Sequence, residues 1–282
     1  MKNLSLFLVL FILALSLTGC NTASGDLAKV EKEAAAYTKL AAIEKGAEGL
    51  NQFKELYEGK NLLQVLTDAD KLLPGLKAET DEFMAKAETE SNKDAYLEGV
   101  EKRLQRAFVV LMAKSLDDAT QSANADAGLK SFKLARAYCK VIEITAKRRG
   151  ALFNDENKFS NLYESMFNAL EERIKAKDSA AVTAIKKQLC DLTDSVYFLS
   201  VLYEVKGLVE LRGTDDPDEI FAKQVEGSSY FKIIRESAKD AKALAALDNE
   251  FAKPASEMDA LLIIDNLKVA YPELAAEFKE QF

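Results

Sequence analysis

The chain has 282 residues, with 38 Lys and Arg against 46 Asp and Glu, and no His. A formal net charge of −8 argues against nonspecific binding to nucleic acid, which leans on clustered Lys and Arg, and against adhesion to an anionic leaflet. The absence of histidine excludes histidine-ligated zinc or haem and every nucleophile–histidine dyad.

Lys2 followed by the apolar run Leu6 to Leu17 has the pattern of an export signal rather than of part of the fold. The run falls short of the ~20 apolar residues that a spanning helix requires. It ends in Leu17-Thr18-Gly19-Cys20, small residues at a cut site followed at once by a cysteine. The tetrad resembles the lipobox of bacterial lipoproteins. That resemblance implies that the Cys20 thiol takes a diacylglyceryl group before cleavage, and that the freed amine is then acylated, commonly with palmitate. Two or three acyl chains anchor far better than one, at about 0.8 kcal/mol per buried methylene. Residues 1–19 then form a signal peptide, 20–25 a lipidated tether, and 26–282 a single all-helical domain held in the cell envelope on the extracytoplasmic side. By the sorting habit of Gram-negative lipoproteins, Asn21 implies the outer membrane, facing the periplasm.

From Asp26 the chain is rich in Ala, Leu, Glu and Lys, all strong helix formers. No run of alternating β-branched residues predicts a strand. The first helix is expected from Asp26 to Glu58, with a kink or break at Gly46 and Gly49. Asn61 to Leu73, Leu76 to Glu90 and Asp94 to Asp118 follow, and Thr120 to Gly128 is expected to be the longest surface loop. Leu129 to Arg149 is closed by Gly150, Asn154-Asp155 opens the next helix, and Asp178-Ser179 the one after. Leu189 to Leu211 is apolar on most sides, which predicts a central position in the bundle. Asp216-Pro217-Asp218-Glu219 reads as an N-cap with proline at the first helical position. It opens a helix expected to include Ile220 to Leu247. Ser256 is the expected cap of Glu257 to Leu267, and Pro272 opens a last helix to Phe282. Two stretches, Tyr96 to Gly150 and Tyr163 to Gly207, each read as a pair of helices closing in a glycine.

Chemistry-bearing residues are sparse. Cys139 and Cys190 could form one disulfide in an oxidising compartment, or could pack as two small buried hydrophobes. Carboxylates and phenols stand inside apolar helices: Glu143 within Val141-Ile142-Glu143-Ile144, Glu204 beside Tyr203 and near Tyr197, and Glu226 one turn from Tyr230. If these helices are neighbours, the six side chains line one cavity able to hold a hard cation such as Fe³⁺ or Ca²⁺, or a cationic ligand. The alternative is that each carboxylate faces solvent or pairs with Lys206, Lys223 or Arg235. The stretches Tyr197–Glu204, Arg212-Gly213 and Glu226–Phe231 resemble helical periplasmic domains that accompany bacterial iron permeases. That resemblance implies an uptake accessory, although the chain has no histidine-bearing metal motif. The sequence thus predicts an all-α helical bundle or helical-hairpin array with no sheet. The leading functional expectation is a non-catalytic, lipid-anchored binding or scaffold protein with no resident cofactor, contacting a protein partner or small solute through a helical cleft. A carboxylate metal-ion accessory of an uptake system is the alternative.

Overall fold

The computed structural model describes residues 25–214 and 216–282. Residues 1–24, with the expected export segment, the lipobox-like tetrad and Cys20, lie outside the described residues. Helix α1 covers 25–41, and the order continues α2 Ala47–Glu58, α3 Lys60–Asp70, α4 Leu76–Thr89, α5 Lys93–Gln121, α6 Ala125–Gly150, α7 Lys158–Lys175, α8 Ser179–Glu210, α9 Pro217–Ile234, α10 Ala241–Phe251, α11 Ala260–Ala270 and α12 Pro272–Glu277. The described residues contain no strand, and no helix among them is long and apolar enough to cross a membrane.

Two long helices hold the centre. α8 packs against α5, α6, α7, α9 and α11, and every residue from Ser195 to Leu202 is buried, as its apolar character predicts. α5 shares that position, packing against α3, α4, α6, α8 and α9. Its run Gly99–Gln105 is also buried on all sides, although it contains Glu101, Lys102, Arg103 and Gln105. The α5–α6 and α7–α8 pairs form two packed helical hairpins, and one continuous apolar cluster runs from Val30 to Phe278.

The break expected at Gly46 is present and makes the first helix two, with a φ of 152° that suits glycine, whereas Gly49 lies inside α2. Several other boundaries differ from the sequence expectation. The expected loop at Thr120–Gly128 contracts to Ser122-Ala123-Asn124, because Asn124 caps α6 by accepting the Ala127 N–H at 2.8 Å. Gly128 then sits within the helix, where a Cβ would meet Ile174 of α7 at 3.2 Å. Gly150 ends α6 in helical conformation, φ −59°. Its lack of a side chain admits the returning chain, for a Cβ there would lie 2.5 Å from the Asp155 carbonyl. The residue that turns left-handed is Asn154, φ 56°, and α7 opens at Lys158. The helix expected through Leu247 stops at Ile234, and Asp240 caps a separate α10 by accepting from Ala243 N. Asp259 rather than Ser256 caps α11, accepting from Leu261 N and Leu262 N; Ser256 lies in the 3₁₀ turn Ala255–Glu257. Asp216 caps α9 as expected. Cys139 and Cys190 do not form the disulfide entertained above: both are free thiols. Burial pushes both thiols up, Cys190 to about 11, so neither is an activated nucleophile.

Candidate ligand-binding cleft and the buried charge cluster

On α5, Glu98, Glu101, Lys102 and Gln105 follow one another at helical spacing and therefore share a face. Lys102 is fully buried. Its ammonium donates to Glu98 at 2.8 Å and Glu101 at 3.0 Å, and lies 3.5 Å from Glu226 on α9. Lys45, from the turn after α1, also donates to Glu101, at 3.0 Å. The Tyr37 hydroxyl donates to Glu101 at 3.3 Å and accepts from Gln105 at 2.6 Å. The Gln105 carbonyl accepts from Thr145 of α6 at 3.0 Å and Tyr197 of α8 at 3.3 Å. A polar thread therefore ties α1, α5, α6, α8 and α9 together inside an otherwise apolar core.

Of the six predicted residues, four surround this thread. The Tyr197 and Tyr230 rings lie 5.9 Å apart, Glu226 faces Lys102, and Glu204 pairs with Lys223 at 3.0 Å and Arg149 at 3.9 Å. Tyr203 sits on the outer face of α8, 46% exposed, with the Arg149 guanidinium 4.4 Å above its ring. Glu143 is elsewhere, half-buried among Lys147, Lys140 and Arg136, because its position on α6 turns it toward the bundle edge. The expected single cavity of three carboxylates and three phenols does not form. Each of Glu98, Glu101, Glu204 and Glu226 has a cation within 4 Å. No group of three or more His, Cys, Asp or Glu among the described residues is placed to hold a metal ion. Carboxylates already neutralised by Lys and Arg do not fit a bound hard cation.

The charges inside are graded by their surroundings. Burial opposes ionisation of Glu98, but Lys102 and Lys45 overcome it and hold the carboxyl at about 2. Burial dominates at Glu226 and, with Glu204 and Glu98 adding like charge against Lys102, pushes it up to about 7. Glu226 therefore accepts a proton well before Glu98 does. Burial also raises the Tyr230 phenol to about 12, and its hydroxyl, like Arg149 Nε, is buried without a hydrogen-bond partner.

The open feature lies on the opposite side of α9. Gly99 leaves room on α5 for the Phe83 ring of α4; a Cβ there would stand 2.4 Å from that ring and 3.0 Å from Val225. One turn on, Arg103 lays its guanidinium 3.4 Å from the Phe83 centroid. It donates Nε–H to Glu79 at 3.0 Å and Nη1–H to the Gly99 carbonyl and Ser229 hydroxyl, each at 3.0 Å. One buried arginine thus fixes α4, α5 and α9 relative to one another. Phe83, Tyr96 and Phe221 form an edge-to-face ladder with centroids 5.5 and 5.3 Å apart. Phe231 and Phe251 stack at 5.1 Å across from them. These rings line a cleft of about 570 Å³ between α4, α5, α9 and α10.

Charged side chains edge the cleft. Lys86 pairs with Glu82 at 2.7 Å and lies 5.9 and 6.0 Å from the Phe83 and Tyr96 centroids. Arg235 grips Asp248 in a two-point contact of 2.9 and 2.6 Å. Glu79 receives Arg103 and Lys232, with Arg106 at 4.0 Å. Burial works against the Glu79 charge, but Arg103 and Lys232 outweigh it and hold the carboxyl below its ordinary range. The sequence shows Phe83, Tyr96, Phe221 and Phe231 as members of apolar stripes. It does not show that Phe83, Tyr96 and Phe221 remain partly open to solvent while Phe231 is buried, and Gly99 before Arg103 is the one local hint of close helix approach. Compared with known proteins, the chain matches no family model, no curated protein and no solved structure.

Proposed function

We propose that this chain is a lipid-anchored extracytoplasmic binding protein that holds a small solute in the α4/α5/α9/α10 cleft and performs no chemistry on it. The observation that carries the proposal is the cleft itself. Its volume of about 570 Å³ falls within the roughly 300–1,000 Å³ range of small-molecule sites, and five aromatic rings share its lining with seven charged side chains. The ionisable groups of the interior are engaged with one another rather than presented to a ligand, which favours binding over catalysis. The anchor reading rests on Leu17-Thr18-Gly19-Cys20 and the apolar run before it. Acyl chains on Cys20 would place the body close to the leaflet, since five residues from Cys20 to Ser24 span at most ~18 Å. In a Gram-negative cell, Asn21 favours the periplasmic face of the outer membrane.

The test uses protein isolated from its own cell envelope. Native mass spectrometry is expected to show a small retained mass on the wild-type chain, lost in Phe231→Ala/Phe251→Ala; bare masses for both would overturn the solute reading. Metabolic labelling with an alkynyl palmitate is expected to mark the wild type and not Cys20→Ser. Equal labelling of the two would overturn the anchor.

A further inference from the structure

We infer that the ligand of the cleft is an organic anion with a flat aromatic body, its carboxylate or sulfonate group meeting Lys86 and Lys232. This rests on the cleft being a binding site and adds the class of compound.

Three observations point the same way. At Phe83 and Tyr96 the position where an aromatic ring receives a cation is already filled from within. Arg103 covers Phe83 at 3.4 Å, and Lys86 lies near both Phe83 and Tyr96. A cationic ligand would have to displace or oppose these groups to reach either of those two faces. The charge balance of the walls is also local and reversed. Lys86, Arg103, Lys232 and Arg235 face Glu79, Glu82 and Asp248, a positive surplus on a chain whose net charge is −8.

The cations are unequally satisfied as well. Arg103 and Arg235 each hold several short contacts. Lys232 shares Glu79 with Arg103 and Arg106, so one carboxylate serves three positive groups. The partner of Lys86 is the exposed Glu82 one turn away, a weak pairing in water. The Lys86 and Lys232 side chains remain 41% and 38% exposed, within reach of an anion that competes with Glu82 and Glu79 for them. The space between the Phe83–Tyr96–Phe221 ladder and the Phe231–Phe251 stack suits a flat apolar body, which such rings engage edge-on or by offset stacking.

The experiment is isothermal titration of the mature chain, residues 20–282, which contains every described helix. Three isosteric probes are used: 2-naphthalenesulfonate, neutral 2-naphthalenesulfonamide and the cationic 2-naphthyltrimethylammonium. The sulfonate is expected to bind at one site at least tenfold more tightly than the other two. Lys86→Glu/Lys232→Glu should weaken the sulfonate at least tenfold while leaving the sulfonamide within about twofold. Because that variant could lose stability, the salt dependence of the wild type gives a second reading. Raising NaCl should weaken the sulfonate and leave the sulfonamide unchanged. Equal or tighter binding of the ammonium probe, or sulfonate binding indifferent to salt, overturns the inference. If all three bind alike and Phe231→Ala weakens all three, the cleft stands and the anion assignment falls. If none binds, or Phe231→Ala changes nothing, the cleft reading falls with it.

Discussion

A lysine ammonium withdrawn from water is tolerable only where carboxylates and ring faces replace its hydration. At Lys102, Glu98, Glu101 and Glu226 do so, with the Tyr230 ring 5.5 Å away. The members differ in how firmly they hold their charge, and that difference makes the cluster measurable. Glu226 has a folded value of about 7, well above that of an exposed glutamate. Between roughly pH 4.5 and 7 the folded chain therefore keeps a proton that the unfolded chain has released. A raised value of this kind contributes stability that is present at low pH and lost as pH rises through about 7. Urea unfolding should show wild-type stability falling between pH 5 and 8, with on the order of 2 kcal/mol of the fall due to this group. Glu226→Gln should remove that part of the slope; a slope unchanged in the variant would show that Glu226 is ionised throughout. Glu204, Glu226, Tyr197 and Tyr230 were legible in the sequence because a polar residue inside an apolar helix needs a partner. Lys102, Glu101 and Gln105 were not, because a polar run reads as a solvated face until neighbouring helices close over it. Glu143 misled for the converse reason: Val141 and Ile142 beside it are buried, yet its own direction on α6 carries it to the edge.

At the scale of elements, helix existence follows from composition and periodicity, while boundaries follow from single side chains that accept a backbone N–H. Asn124, Asp178, Asp216, Asp240 and Asp259 all do this. Asp178 and Asp216 were legible because each stands just before a sustained helical pattern, Asp216 with proline following. Asp240 was not, since the apolar pattern from Ile220 to Leu247 continues across it. The break is set by tertiary contact as well: Lys239 N donates to the Ala270 carbonyl at 2.7 Å, joining the α9–α10 corner to α11. Asp240→Ala should therefore cost about 1 kcal/mol, a fall of about 2–4 °C in Tm for a body of this size. Ser256→Ala, at the position the sequence favours, should stay within about 0.5 kcal/mol. Thermal unfolding followed by circular dichroism compares them, and equal losses would return the capping role to Ser256.

Across the whole molecule, α5 and α9 each face two ways. The inner faces, at Lys102, Glu226 and Tyr230, close on the charge cluster, while Arg103, Phe221 and Phe231 build the cleft. The all-α architecture and the central place of α8 were legible because a helix apolar on most sides has to be surrounded. The equal centrality of α5 was hidden by its charge, and the cleft by the fact that sequence periodicity marks which face is apolar but not whether another helix covers it. The proposed solute binding requires that face to be open to a ligand. The most direct measurement is aromatic ¹H–¹³C NMR of residues 20–282, with Phe and Tyr labelled, during titration with 2-naphthalenesulfonate. Saturable shifts are expected at Phe83, Tyr96, Phe221, Phe231 and Phe251, while the C-terminal ring cluster, in which Phe278 and Phe282 lie 6.3 and 6.1 Å from Phe198, stays unmoved. Shifts centred on that C-terminal cluster, or no saturable shift at the five cleft rings, would contradict it.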